Sequence, residues 1–311
     1  MTDYERYIAE EIATDHVDGF LSRREAMRRL GLLGLGTVAA SALIAACAEN
    51  AQPAAGGGSS SGPGAVVAGA SGAPPSALPP GARGALPTTT IGWAGPTAKL
   101  SGAWAAASTP KGAVLVIHEN KGLTDWVRGI AGRFAGIGYS ALAIDLLAPE
   151  GGTASFTDPA AATAALGRIP AATQVANMKS GLDEIVRRVP GRKLAVVGFC
   201  MGGGLVWQLL AAGEPRLAAA SPFYGPLPEG ADFARSRQAA VLAFYGSLDR
   251  RVTSTEAAAR AALEQAGNVH ELVVEQGANH AFFNDTGDRY DPVASADAWK
   301  RLGGWLTHYV E

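Results

Sequence analysis

Short apolar runs alternate with longer mixed stretches from about residue 110 to the end of the chain. A run of four to eight apolar residues between turn residues is typical of a buried strand. Longer stretches with apolar residues three or four positions apart are typical of helices. Strands are therefore predicted at residues 113–117, 139–146, 193–199, 217–224, 239–245 and 269–275. Helices are predicted at residues 124–137, 160–188, 202–212, 253–266 and 291–309.

This alternation of strand and helix predicts one α/β domain over residues 90–311. Successive strands joined through helices form a mostly parallel sheet with helices on both faces. In such sheets the chemistry lies in loops beyond the carboxyl ends of the strands. Candidate residues should therefore follow the predicted strands directly.

Residues 1–47 have the pattern of an export signal. A polar stretch ends in Ser22-Arg23-Arg24-Glu25-Ala26-Met27, Arg28 and Arg29 follow it, and residues 30–46 carry no charge. These 17 residues are fewer than the roughly 20 that span a membrane comfortably. A basic region before a modest apolar run is typical of a cleavable signal. The paired arginines resemble a twin-arginine signal, which implies export of an already folded protein.

The apolar run ends in Leu43-Ile44-Ala45-Ala46-Cys47, which resembles a bacterial lipobox. This resemblance implies that Cys47 becomes the lipidated first residue of the mature chain. Two alternatives remain. The signal is cleaved near Ala46 and Cys47 is incidental, or the segment stays uncleaved as a membrane anchor. Lipidation would attach the exported protein to the cell envelope, on the periplasmic side or the outer face of the cytoplasmic membrane, through lipid alone.

Residues 48–89 are predicted to be a disordered linker of Ala, Gly, Pro and Ser, in which Arg83 is the only charge from residue 51 onward. Such a segment buries too little apolar surface to offset the entropy of ordering. A flexible tether of about 40 residues spans roughly 35 Å, enough to hold a domain clear of a membrane. The alternative is a spacer without a selected length.

Composition and charge exclude several classes of function. Residues 1–46 hold five Lys/Arg and seven Asp/Glu, so the remaining chain has 21 of each and no net charge. Nucleic acid is therefore not an expected partner. Two cysteines exclude a disulfide scaffold and a four-thiolate zinc site. We expect no metal and no cofactor, a small-molecule substrate, and a monomer.

Cys200 lies in Gly198-Phe199-Cys200-Met201-Gly202, between a predicted strand and a predicted helix. This is the nucleophile-elbow pattern with Cys in place of Ser. The two glycines allow close packing around a strained turn, and the helix N-terminus favours a thiolate. The amide of Met201 can donate to an oxyanion. The alternative is a buried structural cysteine.

Asp249 and His280 each follow a later predicted strand. The chain order of nucleophile, acid and histidine is that of the α/β-hydrolase triad. His280 would accept the Cys200 proton or act as the cationic partner of its thiolate, and Asp249 would orient the ring. Taken singly, the aspartate could be a turn former and the histidine a structural residue.

Four stretches resemble the dienelactone hydrolase family (carboxymethylenebutenolidases) of α/β hydrolases. They are His118–Leu123, Gly198–Gly203, Gly246–Asp249 and Asn279–Asn284. The resemblance covers roughly residues 110–290 and implies an α/β-hydrolase fold. It also implies hydrolysis of a lactone or ester through a Cys-His-Asp triad and an acyl-enzyme.

The resemblance adds Glu119, which would interact with the resting thiol and take its proton when substrate arrives. It also makes the amide of Asn120 the second oxyanion donor. Alternatively, Glu119 is a solvated loop carboxylate or a partner of Arg128. We interpret His118 as a residue that packs and orders this loop.

Three residues are candidates for substrate binding. Trp126 would wall the site, Tyr224 would line the pocket or pack in the core, and Arg289 would face an anionic group or cap the last helix. The chain has Asn284 where the resemblance implies an arginine for a substrate carboxylate. Whether dienelactone itself is a substrate therefore stays open. The expectation that the protein hydrolyses an ester or lactone does not change.

Other functions remain as alternatives. One is a broader carboxylesterase or acyl hydrolase on the same scaffold, and another is a lipoprotein that binds ligands without turnover. A thiol redox protein is the third, but Cys200 lacks a resolving partner because Cys47 is assigned to the lipid.

Overall fold

The structure, a computed structural model, describes Met1, residues 3–51 and residues 78–311. The chain divides into two units, Met1–Ala77 and Leu78–Glu311. Most of the predicted linker, residues 52–77, lies outside the described residues.

The first unit contains three helices, α1 (Asp3–Val17), α2 (Arg23–Leu32) and α3 (Thr37–Ala51). Ser22 caps α2, since its Oγ accepts a hydrogen bond from the Glu25 amide at 3.3 Å. The uncharged run of residues 30–46 is divided between α2 and α3, with a break at residues 33–36. Among the described residues, no helix combines the length and the apolar character needed to cross a membrane.

Charge is distributed unevenly over α2. The Glu25 carboxylate accepts hydrogen bonds from Arg28 and Arg29 at 2.7 to 2.9 Å. These bonds lower the pKa of Glu25 to about 2. Arg23 and Arg24 lie in the first turn of α2, and both are exposed.

The second unit is built on an eight-stranded sheet in the order β1-β2-β4-β3-β5-β6-β7-β8. Its strands are β1 (Thr89–Ala94), β2 (Lys99–Ala105), β3 (Gly112–Ile117), β4 (Tyr139–Asp145), β5 (Leu194–Phe199), β6 (Leu217–Phe223), β7 (Ala240–Gly246) and β8 (His270–Glu275). The pairings β1–β2 and β2–β4 are antiparallel, and all the others are parallel. The prediction of a mostly parallel sheet is confirmed.

Helices surround the sheet, as predicted. They are α4 (Asp125–Gly136), α5 (Pro159–Arg168), α6 (Ala171–Arg188), α7 (Met201–Ala211), α8 (Arg250–Thr253), α9 (Glu256–Ala266) and α10 (Pro292–Val310). Short 3-10 turns lie at Ala82–Gly84, Ala148–Glu150, Thr153–Ser155 and Ala234–Ser236. The single helix predicted over residues 160–188 is two helices, because Pro170 has no amide hydrogen with which to continue α5.

The central strands could be recognised in the sequence as short apolar runs because they are buried on both faces of the sheet. Every residue of β3, β5 and β7 is buried, as expected for parallel strands covered on both faces. By contrast, β1 and β2 were not predicted. Their sequences mix glycine, threonine, serine and lysine with apolar residues, and β1 is largely exposed at the edge of the sheet.

Residues 78–88, at the end of the predicted linker, pack against α4. The Leu86 amide donates to the Gly132 carbonyl at 2.9 Å, and Arg133 donates to the Pro80 carbonyl at 3.3 Å. A Cβ on Gly132 would lie 2.4 Å from the Leu86 carbonyl oxygen. The described end of this segment therefore belongs to the second unit.

The turn between β5 and α7 approaches β3 so closely that it requires glycine. A Cβ on Gly202 would lie 2.5 Å from the His118 carbonyl oxygen and 2.6 Å from that of Ile117. A Cβ on Gly198 would lie 2.2 Å from the Gly202 carbonyl oxygen. All of these neighbours are backbone atoms, which cannot rotate away.

We expect Gly202→Ala to lower the free energy of unfolding by about 1–3 kcal/mol, because the added methyl forces β3 and α7 apart. Gly304→Ala in α10 is the matched control, since its Cβ meets no atom within 4 Å. That change should be neutral or stabilise by up to about 1 kcal/mol. Urea denaturation followed by tryptophan fluorescence reports on the second unit, which holds all six tryptophans. Equal stability of the two variants would contradict this packing argument.

Candidate active site

Cys200 occupies a strained backbone conformation between β5 and α7. Its φ of 55° and ψ of −120° lie in a region that residues with a Cβ rarely adopt. Hydrogen bonds hold the turn, since the Cys200 amide donates to the Phe223 carbonyl at 3.0 Å and its carbonyl accepts from the Gly204 amide at 3.1 Å. The side chain is buried at the amino end of α7. This is the predicted elbow.

The surroundings of the elbow favour negative charge. Met201 is the first residue of α7, and the first amides of a helix have no acceptor within the helix. The helix dipole adds partial positive charge at the same end. Because Gly202 packs against the end of β3, the loop that carries Glu119 and Asn120 lies beside the elbow.

His280 and Asp249 form a close buried pair. His280 Nδ1 lies 2.6 Å from Asp249 Oδ2, and both side chains are more than nine-tenths buried. The other carboxylate oxygen of Asp249 accepts a hydrogen bond from the Val252 amide at 3.2 Å, at the start of α8. The His280 amide donates to Asn279 Oδ1 at 2.7 Å. Both ends of the pair are therefore held in place.

The pKa of each partner indicates an ion pair. Burial lowers the pKa of His280, but the charges of Asp249 and Cys200 and their hydrogen bonds to the ring raise it well above its ordinary value. Burial raises the pKa of Asp249, but the positive charges of His280 and Arg251 bring it below its ordinary value. An imidazolium between two anions accounts for both directions.

Glu119 is held on both carboxylate oxygens. Tyr224 donates its hydroxyl to Oε1 at 3.4 Å, and Asn284 donates its amide to Oε2 at 2.8 Å. Arg128, its alternative partner in the sequence, donates to Thr90 Oγ1 at 3.3 Å.

His118 orders the loop that carries Glu119. Its Nδ1 donates to the Glu119 carbonyl at 2.6 Å, and its Nε2 accepts from the Leu146 amide at 3.1 Å. Burial lowers the pKa of His118, so the neutral ring is favoured. This agrees with the interpretation of His118 as a loop-ordering residue.

The three candidates for substrate binding lie in different surroundings. Tyr224 is completely buried, with its ring 5.2 Å from that of His280. Trp126 packs edge to face on Phe199 at 5.1 Å and is almost fully buried. Arg289 is half-buried in the loop between His280 and α10. Cys47, predicted to carry lipid, lies in α3 of the first unit.

Comparison with known proteins places this geometry in a family. A model of the dienelactone hydrolase family matches residues 101–310, about two thirds of the chain. The chain belongs to the dienelactone hydrolase family. The family assignment makes it a hydrolase of ester or lactone bonds and confirms the α/β-hydrolase fold.

Curated relatives and solved structures agree with this assignment. A provisionally named carboxymethylenebutenolidase of Escherichia coli O157:H7 is 31% identical, over 64% of this chain and 78% of its own length. Another from Methylorubrum extorquens is 30% identical, over 66% of this chain and 74% of its own length. The crystal structure of a provisionally named dienelactone hydrolase from Klebsiella pneumoniae is 28% identical, with a TM-score of 0.62 over 71% of this chain and 99% of that one.

Within the family fold, an ion pair that the sequence did not indicate fixes the loop after His280. Arg133 of α4 donates two hydrogen bonds of 2.9 Å to Asp285, and Trp126 donates its indole N–H to the same carboxylate at 2.7 Å. Both bonds come from Arg133 Nη2, and both charged side chains are nearly buried, so the pair attaches this loop to α4. The only signal in the sequence was an arginine on the apolar face of α4.

Asp249→Asn should lower the pKa of His280, because a buried negative charge next to the ring is lost. Nitrogen-detected NMR of the labelled full-length protein measures this directly as the pH at which the imidazolium loses its proton. In the parent we expect the imidazolium to persist well above pH 6.5, the ordinary value for histidine.

Asp183→Asn is the matched control, since Asp183 is an exposed carboxylate on α6 that pairs with Arg216. It should leave the His280 titration unchanged. A parent His280 that titrates near pH 6.5, or a titration unaffected by Asp249→Asn, would contradict the ion pair.

Proposed function

We propose that the protein hydrolyses a small ester or lactone through Cys200, His280 and Asp249, by way of an acyl-enzyme. One observation carries the proposal: the sulfur of a strained cysteine at a helix N-terminus lies within 4.8 Å of a ring nitrogen of His280, whose Nδ1 is 2.6 Å from a buried aspartate. This arrangement supplies a nucleophile, a proton carrier and an orienting anion.

In the first half of the reaction, the Cys200 sulfur attacks the carbonyl carbon and the C=O electrons move to oxygen. The amides of Met201 and Asn120 stabilise the oxyanion. When it collapses, the C–O bond to the leaving group breaks, and the alkoxide or enolate takes the proton of the His280 imidazolium. The product is a thioester on Cys200.

In the second half, neutral His280 removes a proton from water while the water oxygen attacks the thioester carbonyl. Collapse of this intermediate releases the carboxylic acid and regenerates the thiolate and the imidazolium. Asp249 stabilises the imidazolium in both halves. Glu119 acts before the first attack, when it accepts the proton of any Cys200 that rests as a thiol.

The leaving group narrows the substrate class. A thiolate is a better leaving group than an ordinary alkoxide, so a carbonyl that carries an enolate leaving group suits this nucleophile best. We therefore propose enol esters and enol lactones as the preferred substrates. Simple alkyl esters would be slower substrates of the same site.

Cys200→Ala should lower kcat/KM for activated esters and enol lactones by about 10³-fold or more, because no other group replaces the nucleophile. Cys47→Ala is the matched control, since the chain has only these two cysteines. It should keep the parent rate. Activity of Cys200→Ala within about tenfold of the parent on every hydrolysed substrate would overturn the proposal. Hydrolysis of alkyl esters but not enol lactones would favour the broader carboxylesterase.

We also propose that the protein is exported as a twin-arginine substrate and attached to the envelope through lipid on Cys47. The support is the Ser22-Arg23-Arg24 sequence, the uncharged run after it and the cysteine that ends the run. Exposure of Arg23 and Arg24 leaves them accessible to a receptor, whereas Arg28 and Arg29 bind Glu25.

Replacing Arg23 and Arg24 with lysines should trap most of the precursor in the cytoplasm, because lysine lacks the planar donor set of arginine. The same change at Arg28 and Arg29 is the matched control and should leave export intact. Cell fractionation with hydrolase activity as the marker measures both. Unchanged export of the first variant would rule out the twin-arginine proposal.

A further inference from the structure

The carboxylate of Glu119 is bound at both oxygens by neutral donors from distant parts of the chain. The hydroxyl of Tyr224 comes from the end of β6, and the amide of Asn284 comes from the loop after His280. A single bond would leave the carboxylate free to rotate about its long side chain. Two bonds on different oxygens fix its orientation.

The orientation of the Asn284 amide is itself determined. Its Oδ1 accepts hydrogen bonds from the Thr286 amide at 3.0 Å and the Thr286 hydroxyl at 2.6 Å. Since an amide N–H donates but cannot accept, the oxygen must face Thr286 and the nitrogen must face Glu119. Asn284 is therefore a built donor to the carboxylate.

Tyr224 is equally well fixed. Its backbone has a φ of 37°, and its amide donates to the Phe244 carbonyl at 2.7 Å. Burial, followed by the charges of Glu119 and Cys200, raises the pKa of Tyr224 well above its ordinary value. The hydroxyl therefore keeps its proton and remains a donor throughout the working pH range.

We propose that Tyr224 and Asn284 are positioning residues that hold Glu119 ionised and aimed at the Cys200 thiol, and so set the lower pH limit of hydrolysis. This inference rests on the proposed function. A hydrogen bond to a carboxylate favours its charged form, so two such bonds oppose protonation of Glu119 as the pH falls. Tyr224 thus acts on Glu119, not on substrate.

Several charged groups lie around Glu119, Tyr224 and Asn284. Cys200 and His280 face this cluster from the elbow and the histidine loop, and the charge of Asp285 reaches Tyr224. Arg133 of α4 compensates Asp285 through two hydrogen bonds. Asp249 is bonded to the far side of His280. Negative charge nearby favours the protonated form of Glu119, and its two donors act against this.

The test is the pH dependence of kcat/KM for a neutral 4-nitrophenyl ester, measured on full-length variants. Tyr224→Phe removes one donor, and its acid limb should move up by about one pH unit. Asn284→Asp replaces the other donor with a carboxylate that competes for the same proton, so its acid limb should move up further. Tyr245→Phe is the matched control and should leave the limb in place, because the buried Tyr245 hydroxyl makes no hydrogen bond to any described residue.

A second pair of variants keeps the test valid if Asn284→Asp fails to fold. Thr286→Val removes the side-chain hydroxyl, and with it the shorter of the two hydrogen bonds to Asn284 Oδ1, and keeps the backbone one, so the acid limb should move in the same direction but less far. Thr286→Ser keeps that hydroxyl and should restore the parent profile. A merely structural role would lower the rate at every pH without moving the limb.

Cys200→Ala, measured in parallel, distinguishes a failure of the proposed function from a failure of the positioning role. An active Cys200→Ala variant would overturn the proposed function. An inactive one, together with folded Tyr224→Phe and Thr286→Val variants whose acid limbs match the parent, would overturn the positioning role alone.

Discussion

The close contact between the β5–α7 turn and the end of β3 is the constraint on which the site depends. Gly202 lies against the carbonyls of Ile117 and His118 with no room for a methyl group. The same turn holds Cys200 in its strained conformation at the helix N-terminus, and the contact brings the Glu119 loop beside it. The position of Cys200 and that of the Glu119 loop therefore both depend on this contact. A change at this contact would displace both together.

Two separate groups of charged and polar side chains lie around this turn. The Asp249 carboxylate is hydrogen-bonded to Nδ1 of the His280 ring, and Cys200 interacts with the same ring. Glu119 has its own support from Tyr224 and Asn284. Each of these charged groups thus has hydrogen-bond partners of its own, which offset the loss of water around it. The Arg133–Asp285 pair holds the loop that contributes to both groups.

The sequence was informative for candidate residues that directly follow a buried strand. Cys200, Asp249 and His280 could be predicted because apolar runs mark their strands and glycines mark the turns. The partners of Glu119 could not, because Asn284 lies 165 residues away and its loop has no periodic pattern. The Arg133–Asp285 pair joins residues 152 apart and was hidden for the same reason. The edge strands β1 and β2 escaped prediction because their polar residues and glycines resemble a loop.

Direct observation of an acyl group on Cys200 tests the account most sharply. The full-length protein would be mixed with excess 4-nitrophenyl acetate, quenched in acid within the first turnover and digested with trypsin. We predict a burst of about one nitrophenolate per chain and one acetyl group on the peptide that contains Cys200. Turnover with that peptide unmodified, or with the acetyl group on another residue, would contradict covalent catalysis by Cys200.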